Sequence, residues 1–123
     1  MQAPATQWEE WSAKIAIQRL PRWNELPSIE LYMDQVLIVM ENYLALFMPR
    51  DEKFLTAAMV NNYVKSKILP PPIKKRYNKS HLAYLVFICL LKQVFSIPAI
   101  HELLIRDAPL EQLPTLYDSF CDA

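Results

Sequence analysis

The chain contains no glycine. At about 7% average usage, a chain of 123 residues carries roughly nine. The omission excludes whole classes of function. Phosphate-cradling loops, dinucleotide fingerprints and nucleophile elbows need a residue without Cβ where the backbone meets a ligand or turns sharply. Two-residue hairpins also lose their preferred turn residues, which argues against an all-β meander. Ten prolines supply the punctuation instead. Proline opens or ends a helix and pushes the residue before it out of the α region. With 53% hydrophobic residues the chain can bury a core, and its length suits one domain.

Between the prolines the apolar residues recur at helical spacing. Residues 1–27 read as an N-terminal helix and a linker. There Thr6-Gln7-Trp8-Glu9 resembles a capping box, and Trp8, Trp11 and Ile15 share a face. Residues 28–95 read as the core. Ser28 caps its first helix with Glu30 in the first turn, and Ile29, Met33, Val36, Met40, Tyr43 and Phe47 form the buried stripe up to Pro49. Thr56 caps a second, from Ala57 to about Lys67. Pro70, Pro71 and Pro72 stop it and force an extended segment through Tyr77. Asn78 caps a third, to about Phe95, whose apolar character on nearly every side makes it the central element. Residues 96–123 hold a helix from Ile97 to about Arg106, capped by Ser96, and a last one starting near Pro109. The expected fold is all-α.

Zero net charge hides a strong segregation. Residues 1–52 carry four basic and eight acidic side chains, a net of −4. Residues 53–92 carry eight basic ones and no acid, and residues 93–123 carry one basic against five acidic. A charge run can merely solvate a surface. A forty-residue block without acids also supplies the local field that attracts a polyanion.

Other chemistry is poorly represented. His81, Cys89, His101 and Cys121 lack metal-ligand spacing. Cys89, inside an apolar run, reads as a buried thiol. No nucleophile–base pair is visible, so the reading is not an enzyme, with no cofactor and no metal. The apolar run from Leu82 to Leu91 is half a membrane span, and the first twenty residues have no signal-peptide pattern. The expected location is the cytoplasm.

The informative block runs from Thr56 to His81: a polar-faced helix, a proline-stiffened turn, a basic extended loop and a buried helix. A helix in the major groove flanked by a basic wing on phosphates needs this order of parts. Asparagine can pair bidentately with adenine there, so Asn61 and Asn62 on helix 57–67 are the candidate base contacts. Lys65, Lys67, Lys74, Lys75, Arg76, Tyr77, Lys79 and His81 are the candidate phosphate contacts, with the wing at 73–79. Double-stranded DNA is the expected partner, bound by a homodimer, with the acidic flanks free for a small-molecule effector. The alternative is a non-enzymatic adaptor that uses the basic block and helix 28–47 to meet other proteins.

The same block resembles the winged helix-turn-helix part of MerR-type regulators. Val60, Tyr63, Ile68-Leu69-Pro70, Arg76-Tyr77 and the buried Leu82, Leu85 and Ile88 fall at matching offsets. Three features depart from that pattern. Lys67 occupies the usual glycine position, no short helix sits just before Thr56, and no long C-terminal helix follows. A longer resemblance covers most of the chain: LPRWNELPSIELYMDQV (20–36), MVNNYVK (59–65), PIKKRY (72–77) and HLAYL (81–85) look like the bacterial family DUF1836. That resemblance implies a DNA-binding regulator, and the shorter one a MerR-like winged helix-turn-helix core within it.

Overall fold

A computed structural model describes residues 20–45, 47, 54–107 and 110–122. The expected N-terminal helix around Trp8 and Trp11 lies outside the described residues. Five helices follow in order: α1 (Met33–Leu44), α2 (Ala57–Lys65), α3 (Lys79–Leu91), α4 (Ile97–Asp107) and α5 (Leu113–Asp122). Single 3₁₀ turns stand at Trp23–Glu25 and Leu110–Gln112. Among the described residues β-pairing is limited to two antiparallel bridges, Leu31 with Tyr77 and Ile73 with Arg76. The fold is all-α.

Helix α3 is the centre, and its sequence explains why. It has no polar face beyond its first turn, so every side must be covered; all nine residues from His81 to Cys89 are buried. Helix α1 packs on it with Val36, Met40 and Leu44, four residues apart and fully buried. Helix α5 brings Leu113 and Tyr117, also fully buried. Phe87 of α3 stands edge-on to Tyr117 at 5.9 Å and to Phe120 at 4.9 Å. The segment before α1 closes the far side. The Trp23 N–H donates to Asp118 Oδ1 at 2.8 Å, the Cys121 thiol donates to the Pro21 carbonyl at 3.4 Å, and Trp23 meets Tyr117 edge-on. Leu20, Leu26, Leu113 and Tyr117 thus belong to the same buried cluster as α1, α2 and α3.

Several helix boundaries differ from the sequence reading: α1 stops at Leu44, short of Pro49, α5 starts at Leu113 rather than near Pro109, and two others have an evident cause. Helix α1 begins at Met33, five residues beyond the expected cap Ser28. Leu31 instead exchanges both backbone hydrogen bonds with Tyr77, at 2.9 and 2.8 Å, and an extended residue so engaged cannot also be helical. The Gln35 side chain then accepts from the Tyr32 N–H at 2.9 Å and starts the helix. Ile29, expected on the buried stripe, is 68% exposed, whereas Leu31 is buried. Helix α3 ends at Leu91 rather than Phe95. Ser96 must leave the helical region to cap α4 through its hydroxyl, on the Ala99 N–H at 3.3 Å, and Val94 and Phe95 turn outward before it.

The core assignment predicts a sharp contrast in urea denaturation. Ile88→Ala, at a fully buried position of α3, is expected to cost about 2–5 kcal/mol. Ile38→Ala, on the 61% exposed face of α1, should stay within about 0.5 kcal/mol of the parent.

Candidate nucleic-acid interface

Helix α2 is fixed at both ends and from behind. The Thr56 hydroxyl accepts from the Met59 N–H at 3.2 Å, as the sequence predicts. Val60 and Tyr63 are buried, while Asn61, Asn62 and Lys65 are exposed. Behind the helix the Lys92 ammonium donates to the Phe54 carbonyl and, at 3.1 Å, to the Tyr63 hydroxyl, and lies 5.8 Å from the Tyr63 ring centroid. Lys92 therefore ties α3 to α2, and its charge is turned inward.

The helix ends on a left-handed residue. Lys67 has φ 64°. Its N–H donates to the Val64 carbonyl at 3.0 Å, and the Ile68 N–H reaches back to the Tyr63 carbonyl at 3.0 Å. These are the two bonds of a Schellman ending, in which glycine ordinarily takes the left-handed place. Ile68 and Tyr63, both buried, are the apolar pair that accompanies the motif. Lys67 thus takes the backbone conformation that glycine ordinarily supplies at a helix end.

A second left-handed site follows. Ile73 and Arg76 exchange backbone hydrogen bonds at 3.0 Å each around Lys74 and Lys75, with φ 53° and 66°. Positive φ at both central residues is the signature of the two-residue hairpin turn that favours Asn-Gly. The glycine-free sequence argues against such hairpins, yet it makes one from two lysines. Lys67, Lys74 and Lys75 are all the positive-φ residues among those described. A left-handed residue with a Cβ costs roughly 1–2 kcal/mol.

The connector is held to α3 by His81. Its Nδ1 accepts from the Asn78 N–H at 3.0 Å, and its Nε2 lies 3.0 Å from the Pro71 carbonyl. The first bond leaves the proton on Nε2, which donates to Pro71. The Asn78 side chain in return accepts from the His81 N–H at 3.2 Å. Tyr77 stands edge-on to the imidazole at 5.2 Å, and both residues are 3% exposed. The expectation that Tyr77 and His81 contact phosphates therefore meets a plain obstacle: both are inside, and both ring nitrogens of His81 are engaged. Burial lowers the His81 pKa from its ordinary 6.5, with the Pro71 hydrogen bond opposing.

The remaining candidates divide. Lys65, Lys67, Lys74 and Lys75 are exposed and make no ion pair with any described residue. Arg76 Nη1 lies 3.5 Å from Glu30 Oε1, both side chains 44% exposed, and its guanidinium sits 5.9 Å from the Tyr32 ring centroid. The Lys79 ammonium stands 5.8 Å from the Trp23 ring centroid. Sequence reasoning missed Glu30 and Tyr32, because it placed both on a helix. The signal was there in Leu31, which falls off the helical stripe that Met33, Val36 and Met40 define.

No group of three or more His, Cys, Asp or Glu among the described residues could hold a metal ion. Cys89 is buried and its thiol is pushed up to about 11 by burial. No described helix is long and apolar enough to cross a membrane.

Comparison with known proteins gives one match. The family described as a domain of unknown function, DUF1836, matches residues 21–120, from the linker before α1 into α5. The chain belongs to the DUF1836 family. No curated protein and no solved structure matches it. The DUF1836 match takes in the two left-handed turns, the His81 tie and the Glu30–Arg76 pair together.

Two outcomes follow from this geometry. Lys67→Gly, or Lys74→Asn together with Lys75→Gly, should raise stability by about 1 kcal/mol per relieved site, read from the urea midpoint. His81 is preferred neutral in the folded chain. Stability is therefore expected to fall as pH drops from 6.5 through the lowered folded value, and a thermal scan should find less of this loss in His81→Gln.

Proposed function

We propose that this DUF1836 chain is a sequence-specific, double-stranded DNA-binding transcription regulator, built on a winged helix-turn-helix similar to that of MerR-type proteins. The observation that carries the reading is the coincidence of strain and charge. All three left-handed non-glycine residues among those described are exposed lysines, in the connector behind α2. Strained backbone clusters at functional sites, and a cationic side chain is what glycine or asparagine at those turns would forfeit.

The order of parts supports it. Leu31, α1, α2, the Ile73–Arg76 turn and α3 follow one another as a single bridged residue, two helices, a candidate wing and a supporting helix. Exposed Asn61 and Asn62 on α2 suit adenine edges in the major groove. Lys65, Lys67, Lys74 and Lys75 suit phosphates, with Arg76 and Lys79 joining when their present partners release them. Tyr77 and His81 act from inside, by holding the wing. The acidic flanks, Glu30 apart, then face away from the DNA and serve a homodimer or an effector.

Selection from random duplexes tests this. An enriched motif is expected, and Asn61→Ala or Asn62→Ala should weaken binding to it by about 1–3 kcal/mol with an unchanged salt slope. Substituting Lys67, Lys74 and Lys75 together should flatten the slope by about 2.7, at roughly 0.9 per phosphate. Weak, salt-labile retention with no enriched motif would instead leave the adaptor role.

A further inference from the structure

We propose that Glu30 is an internal competitor for Arg76, occupying its guanidinium in the free protein so that a nucleic-acid phosphate has to displace it. The inference rests on the DNA reading above and adds to it a residue that sets affinity from the opposite sign of charge.

The backbone register places this pair. Leu31 and Tyr77 form a hydrogen-bonded antiparallel pair, so Tyr32 stands opposite Arg76. Side chains alternate along extended backbone. Leu31 and Tyr77 point into the core and are buried, whereas Glu30, Tyr32 and Arg76 emerge on the outer face. Arg76 is thus flanked by a carboxylate 3.5 Å away and by an aromatic ring whose centroid is 5.9 Å away. The ring holds the planar guanidinium, and the carboxylate occupies one edge of it. A carboxylate and a phosphate bind the same donor fork, so the two anions are alternatives.

Position strengthens the assignment. Glu30 comes from the acidic N-terminal block, and it pairs with a cation of the acid-free segment. Arg76 adjoins the hairpin turn carrying Lys74 and Lys75. A phosphate drawn to those two lysines arrives beside a guanidinium already occupied. The pair is half exposed, so its strength lies in the range of surface ion pairs. A competitor of that strength tunes binding without abolishing it.

The test is a double-mutant cycle on binding to a short mixed-sequence duplex, read by fluorescence anisotropy across a salt series. Glu30→Gln is expected to tighten binding about 2–5-fold at low salt and to steepen the salt slope by up to about 0.9. In an Arg76→Gln background the same substitution should do neither. Equal tightening in both backgrounds would mean that Glu30 acts only as a general negative charge, and would overturn the proposal while leaving the DNA reading intact. Failure of both the parent and Glu30→Gln to bind any duplex would overturn the DNA reading and this proposal with it.

Discussion

A helix that is apolar on every side has to be covered on every side, and the rest of the chain is arranged to do that for α3. Helices α1 and α5 each take a share of its surface, and the segment around Trp23 packs on α5 in turn. What is left at its N-terminus is the approach of the connector, and there the covering group is polar. His81 is buried with both nitrogens bonded, which is how a polar ring can sit in a core without cost from unmade hydrogen bonds. The imidazole links the cap residue Asn78 to Pro71, seven residues earlier in the chain. The basic turn lies between these anchors, so its place relative to α2 follows from how α3 is capped.

The connector shows how a chain without glycine negotiates turns that call for it. At Lys67 the strain is offset locally. Two backbone hydrogen bonds satisfy helix-end carbonyls, and Ile68 packs against Tyr63. At Lys74 and Lys75 the strain is held by the Ile73–Arg76 hydrogen bonds and, one residue further on, by the Leu31–Tyr77 pair. Each left-handed lysine is therefore held by flanking backbone bonds, and Lys67 by the buried Ile68 beside it as well. Asparagine was available to the sequence and is tolerated at positive φ, so the use of lysine three times is a choice of side chain over backbone comfort.

Much of this was legible beforehand. Thr56 and Asn78 were recognisable as caps because a hydroxyl or amide preceded an apolar period, and α3 because its period was absent. The start of α1 was not legible for a definite reason. Pro27-Ser28 carries the local signature of a helix start, but the Leu31 backbone is claimed by Tyr77, a partner 46 residues away. Propensity at a helix end is worth tenths to one kcal/mol, and a two-bond tertiary pairing outweighs it. The same long-range pairing hid Glu30 and Tyr32 as neighbours of Arg76. His81 reads in the sequence as a phosphate contact; it is instead part of the Asn78 cap, buried because the three prolines bring the Pro71 carbonyl to its Nε2.

Charge segregation along the chain translated only partly into space, and the difference bears on how a polyanion would be met. Of the acid-free block, Lys53 lies outside the described residues. Lys92 spends its charge on carbonyl and hydroxyl oxygens behind α2. Lys79 faces an indole ring and Arg76 faces Glu30. The cations left to project freely are Lys65, Lys67, Lys74 and Lys75, at the end of α2 and the tip of the hairpin. Three of those four are the left-handed residues. A surface that only needed solvation would place its lysines where the backbone is relaxed, since an exposed charge gains the same hydration at either kind of site. Placing them at the strained turns fixes where the charge stands relative to Asn61 and Asn62, because a hairpin tip and a helix end are defined positions in a way that a long relaxed loop is not. On the DNA reading proposed above, charge held at defined positions would let phosphate contacts set the register in which the polar face of α2 reads bases.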